Sequence, residues 1–217
     1  MAAEAEVSTE VDPGQIEAAF PEADHRHRPR KRGEALEQAI AAAVIAELSD
    51  RGYGALTFEG VAARAGTGKS ALYRRWPDKA SMTADAFAVT LPGAETLPLA
   101  GELRADLILF LDTVARGMLG AMGVGMRLLS AEIYRHVDFG EMWKERVIQP
   151  WHDLLVRIID GAIERGEART GATDPHCVIA VPSVLCQGFT MTGVPMSHDE
   201  ITALVDNALL PMLAARN

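Results

Sequence analysis

The sequence predicts an all-α protein: an N-terminal three-helix helix-turn-helix module, followed by a larger helical region. Three observations carry this expectation. Apolar residues recur at three- and four-residue intervals from Gly33 onward. No segment shows the convincing two-residue alternation of a half-buried strand, and Gly and Pro cut the chain into pieces of helical length.

Each element follows from its own signals. Residues 1–25 lack sustained apolar periodicity and are acidic, which predicts a disordered tail, and the chain turns abruptly basic at Arg26. Leu36, Ile40, Val44 and Leu48 recur every four residues and predict a first helix, with RGYG at 51–54 as its stop. Thr57 is a predicted N-cap for FEGVAARA, and Gly66 stands where a helix C-terminus favours glycine. KSALYRRW makes a short third helix with Leu72 and Trp76 on one face, ended by Pro77. Asp78 caps a fourth, KASMTADAFAVTL, before the break PGAETLPLAG.

Beyond Gly101 every segment reads as long helix. ELRADLILFLDTVARGMLGAM and GMRLLSAEIYRHV come first. In the next, Trp151, Leu154, Leu155, Ile158, Ile159, Ala162 and Ile163 follow the i, i+3, i+4, i+7 pattern, and Pro150 predicts a kink. DPHCVIAVPSVLCQGFTM is apolar nearly all round. The last helix, from Asp199, carries Ile201, Leu204, Val205, Ala208, Leu209 and Met212 on one stripe, with Leu210 and Leu213 on a second edge. Two helices apolar on more than one face call for a partner outside the monomer, so a homodimer through the last two helices is expected.

The net charge of −9 hides an asymmetry: residues 1–25 hold seven acids and no Lys or Arg, residues 26–80 hold eleven Lys or Arg against six acids, and residues 81–217 hold ten against seventeen. This excludes a protein that coats nucleic acid with its whole surface and leaves a small basic module between acidic neighbours. The expected division is therefore 1–25 tail, 26–80 helix-turn-helix domain with a basic arm, and 81–217 helical domain. Cys177 and Cys186 make no disulfide framework, and no apolar run spans a bilayer. A cytoplasmic protein with no membrane partner is expected.

GTGKS at 66–70 invites a phosphate-loop reading, and with it a nucleotide-binding enzyme. That motif needs a glycine five places before its Gly-Lys-Ser and a buried strand upstream, whereas here the place is Ala63 inside a predicted helix. A helical interaction protein without DNA binding is the other alternative. Two short helices joined by a tight turn instead frame a helix-turn-helix, whose second helix enters the major groove of DNA. Leu72 and Trp76 face inward in this reading, while Thr67, Lys69, Ser70, Tyr73 and Arg74 point outward, with residue types suited to phosphate and base contacts. Upstream, RHRPRKR places five Lys or Arg in seven residues, Arg30, Lys31 and Arg32 among them, as an arm able to reach phosphates.

At ALTFEGVAARAGTGKSALYRRWPDKASM the chain resembles the N-terminal DNA-binding domain of the TetR family of transcriptional regulators, from Arg30 to about Leu91. A threonine-capped helix, an Ala-Gly turn, a Lys in the third helix, Leu-Tyr, an aromatic and Pro-x-Lys follow in the family's order. Gly68 stands where the family often has Ser, and Trp76 where Phe is commoner. The resemblance implies a dimeric regulator, not an enzyme, that uses no cofactor. It further implies a repressor on a palindromic DNA operator, released by a small-molecule effector in the larger domain. It adds Lys79 as a phosphate contact, and Thr57 at the cap of the second helix joins the DNA-facing set.

Phe110, Met118, Met122, Met126, Tyr134, Trp143, Trp151, His152 and Phe189 are the candidate lining of the effector pocket, with Met191 beside them, as a few polar groups among adaptable apolar ones. No metal site is expected: His25 and His27 fall in the tail, and His176, Cys177 and Cys186 lack zinc spacing.

Overall fold

The computed structural model describes residues 33–91 and 93–215, so the expected tail over 1–25 and the basic arm with Arg30, Lys31 and Arg32 lie outside the described residues. Within them the chain is helical, and its one β feature is an isolated bridge between Ala168 and Ala214.

Helix α1 (Glu34–Ala55) buries Ile40, Val44 and Leu48 and is interrupted at Gly52, whose φ of 74° only glycine adopts without strain. Helix α2 (Phe58–Ala65) begins at Thr57, whose side chain accepts from Gly60 N. It ends at Gly66 in the left-handed region, where its N–H and that of Thr67 return to carbonyls of the last turn. After Gly68 comes α3 (Lys69–Tyr73), shorter than its sequence suggested. Arg75 N and Trp76 N both fall back on Leu72 O, so the segment closes in a tight turn before Pro77. Helix α4 (Lys79–Thr90) is capped by Asp78, which accepts from Ser81 N.

In the larger region α5 (Leu103–Met118) does not run on to Met122 as its apolar pattern predicted. The chain breaks at Leu119 and Gly120 and turns by 71° into α6 (Ala121–Arg135). Helix α7 (Val137–Trp143) passes through a π turn at Lys144–Ile148 into α8 (Gln149–Glu164). Pro150 explains the turn. A proline has no N–H to give and its ring presses on the carbonyl four residues back, and the wider π register takes up the misfit. The same solution recurs at Pro211, where α10 (His198–Leu204) passes through a π turn at Val205–Leu209 into α11 (Leu210–Leu213). Between them lies α9 (Pro175–Thr192). No single helix among the described residues is long and apolar enough to cross a membrane.

Two apolar cores result. One gathers α1 to α4, and is closed by Leu129 of α6 and by Phe139, Trp143 and Val147 of α7 and its π turn. The other is built from α5, α8, α9, α10 and α11. Leu91, just past α4, packs against both. Helix α6 comes so close to the first core that a Cβ on Gly125 would stand 2.7 Å from the Phe87 ring and 3.0 Å from that of Trp143.

Candidate nucleic-acid interface

The outward face of α3 is set by what its inward face buries. Leu72 is wholly enclosed and Trp76 nearly so, which turns Lys69, Ser70, Tyr73 and Arg74 to the surface. Thr67 is half-buried in the turn, and Thr57 is exposed with its oxygen committed as the cap of α2. Preceded by a helix and not by a strand, GTGKS wraps no phosphate-sized loop: Gly66 ends α2, Gly68 precedes α3, and Lys69 is its first residue.

This face is held stiffly. The Tyr73 ring stacks on Phe58 with centroids 4.5 Å apart, and its hydroxyl donates to Glu59 Oε1. The same oxygen lies 3.8 Å from Lys69 Nζ, so one carboxylate of α2 engages two groups of α3. Behind the face, Arg64 of α2 donates to Glu47 (3.0 Å) and Asp50 (2.7 Å) of α1, and Arg75 is paired with Glu37. Glu47 is buried, and Arg64 supplies the partner such a charge requires. Arg74 forms no ion pair among the described residues, which leaves its guanidinium available outward.

Lys79 is placed differently from the other candidates. Its ammonium donates to Tyr53 O at 2.9 Å and sits 4.4 Å above the Tyr53 ring, fastening the start of α4 to the end of α1. An ammonium has three donors, so an outside acceptor can still be served.

Sequence reasoning did not single out Glu59, Glu47 or Asp85. Asp85 accepts from Trp76 Nε1 through Oδ2 and from Arg146 Nη1 through Oδ1, both at 2.8 Å. It thereby links the end of the α3 segment to the π turn before α8. The signal available was a carboxylate inside the apolar stretch MTADAFAV, which calls for a partner.

Of the nine candidate effector-pocket residues, six meet at the second core and three lie apart from it. Phe110, Met118, Trp151 and Phe189 are buried in the second core, with Met122 and Met126 half-buried against it. Trp143 belongs to the first core, packed on Phe87 and Phe139. His152 lies beside Gln149 and Asp153, Tyr134 is 89% exposed, and Met191 is exposed as well. A cleft of about 530 Å³ lies elsewhere: between the end of α4, the 3₁₀ turn at Ala94–Thr96, the last turns of α5 and the start of α6, with Met122 as its only member from that set. Among the described residues no three His, Cys, Asp or Glu gather as metal ligands.

Comparison with known proteins agrees over most of the described chain. Residues 40–86 match the family model described as bacterial regulatory proteins, tetR family, and residues 97–208 match the tetracyclin repressor-like C-terminal domain. An uncharacterized HTH-type transcriptional regulator of Mycobacterium tuberculosis is 28% identical over 177 residues, covering 82% of this chain and 87% of the relative. The HTH-type transcriptional regulator AqdR of Rhodococcus erythropolis is 26% identical, with 87% and 93% covered. Among solved structures, the TetR family transcription regulator SCO0332 superposes with a TM-score of 0.62 at 25% identity, covering 82% of this chain and 97% of that one. The flavonoid-responsive regulator FrrA shares the fold, with a TM-score of 0.60 at 15% identity and coverage of 85% and 100%.

Proposed function

Because this chain belongs to the TetR family of transcriptional regulators, which are not enzymes, we propose that it is a dimeric repressor that binds a palindromic operator and is released by a small-molecule effector. Regulators of this family bind DNA and small-molecule effectors and are usually dimeric. The single observation that carries the reading is the rigid α2–turn–α3 frame, which presents Lys69, Ser70, Tyr73 and Arg74 outward from a buried Leu72. Two such segments, one per protomer, enter successive major grooves about 34–36 Å apart. Thr57, Thr67, Lys79 and the arm of Arg30, Lys31 and Arg32 supply further contacts to phosphates. Work on a bacterial chromosome puts the protein in the cytoplasm.

Pairing falls to α9, which buries Val178, Val181, Leu185 and Phe189 inward while exposing Ile179, Val184 and Met191 on its other side. Two copies of this apolar face, joined by the last helix, make the two-fold contact. The cleft beside the end of α4 is where an effector is read. One of its walls is Leu91, directly after the helix whose Asp85 holds Trp76. A molecule lodged there favours one placement of α4, and with it one spacing of the two α3 segments, so that it acts by its different affinity for the two states.

Selection of bound duplexes from a random pool tests this. The reading expects an inverted repeat, with half-sites about one helical turn apart. Recovery of unrelated sequences, or of none, would contradict it.

A further inference from the structure

The cleft at the end of α4 has a chemical bias. Its walls are apolar apart from Thr90, Thr96, Thr113 and Arg116. The three hydroxyl protons are already spent, on Phe87 O, Gly93 O and Leu109 O respectively. Arg116 is different. One of its N–H groups donates to Thr113 Oγ1 at 3.0 Å, and no carboxylate of the described residues pairs with it. A guanidinium carries five donors and cannot give up its charge, so the cleft offers N–H and positive charge with no acid to answer them. Gly117, on the next residue, leaves room: a Cβ there would meet Met122 and Leu91 only at ordinary contact distances of 3.8–3.9 Å. In a second cleft, of about 810 Å³ between the end of α8 and α11, Arg169 already spends two of its donors, on Met212 O and Cys177 Sγ, against one for Arg116.

We infer that the cleft takes an amphipathic organic anion, with one carboxylate on Arg116 and a hydrocarbon or aromatic body against Leu91, Leu97, Leu109 and Met122. This rests on the reading of the cleft as the effector site and adds the ligand's class. The pairing is selective because a carboxylate matches the guanidinium fork with two parallel hydrogen bonds, whereas an amide of the same shape offers one neutral acceptor. The volume of about 530 Å³ suits a molecule of bicyclic size.

The test uses the full-length purified protein with 2-naphthoate, its neutral counterpart 2-naphthamide and the cation 2-naphthylmethylammonium, titrated by calorimetry. Naphthoate should bind at least about tenfold tighter than the amide, and the cation least of all. Arg116→Gln should erase the preference for the acid while leaving amide binding in place, and Arg116→Lys should restore part of it, which separates charge from packing. Gly117→Leu, which fills the cleft, should abolish binding of all three, with melting temperature and circular dichroism checking that each variant is folded. Equal binding of acid and amide, or a preference that survives Arg116→Gln, overturns the anion inference and leaves the cleft as the effector site. Binding of neither, or binding indifferent to Gly117→Leu, overturns both.

Discussion

The helix-turn-helix module and the larger helical region are held together by different means. In the first, polar side chains cross from helix to helix: Arg64 joins α2 to α1 through Glu47 and Asp50, Arg75 reaches Glu37, Lys79 reaches Tyr53, and Asp85 joins Trp76 to Arg146. In the second, aliphatic packing dominates, and the polar links between helices are fewer: Arg104 with Asp206, His198 with Asp112, and Glu167 with Leu103 N each have one partner in the first turn of a helix. Directional contacts fix orientation, which a surface that must fit DNA requires. Apolar contacts resist separation but tolerate sliding, which suits a region proposed to answer to a ligand.

Substitutions can break this contrast, and the largest effect is expected in the module's core. Leu72→Ala should cost about 2–5 kcal/mol by urea denaturation, because the enclosed site cannot collapse around the void. A loss under 1 kcal/mol would mean that α3 is not anchored by packing at all. Next comes the link between regions. Trp76→Phe keeps an aromatic ring but removes the donor to Asp85 and part of the buried indole, and should cost about 1–3 kcal/mol. Sequence-specific DNA binding should fall by more than that stability loss accounts for, since α3 then loses its tie to the π turn. Equal losses would reduce Asp85 to an ordinary surface contact.

Glu59→Gln acts on the face itself and should leave stability nearly unchanged. Removing its charge frees Lys69, so DNA binding should tighten, and the slope of log K against log salt should steepen by about 0.9, the equivalent of one phosphate. Weaker binding would instead make Glu59 a reader of bases, since a carboxylate can accept from cytosine. The smallest effect concerns pH. Arg165 beside it and Leu103 N–H hold the Glu167 carboxyl below the usual carboxylate range. A depressed folded value contributes stability that is complete above the unfolded value of about 4.3 and is lost as pH falls through the folded one. Glu167→Gln should therefore lower the melting temperature slightly at neutral pH and flatten its decline in acid; an unchanged acid limb would show that this carboxylate contributes nothing to it.

What could be read from the sequence was local. Thr57 and Gly66 mark both ends of α2 because caps act within a few residues, and Leu72 and Trp76 reveal the outward face of α3 by spacing alone. Pro150 announces a disturbance, but whether it becomes a kink or a π turn depends on what packs around it. The break between α5 and α6 falls at Leu119 and Gly120, a few residues before the one expected after Met122, because apolar periodicity continues across it. Lys79 is named only as a phosphate contact, by resemblance, because nothing local says that Tyr53 O, far back in the chain, lies under it. The cleft escaped for the same reason. Its walls come from four separate elements, and Met122 is the one residue of the expected lining among them.

The central claim is that the exposed face of α3 binds DNA, and Tyr73 stands at its middle. Fluorescence anisotropy with a selected duplex, on the wild-type protein and on Tyr73→Ala, tests it most directly. The account predicts specific binding weakened at least about tenfold, corresponding to about 1.4 kcal/mol, with melting temperature and dimer mass retained. Unchanged affinity in a folded dimer would remove Tyr73 from the recognition surface and contradict the account.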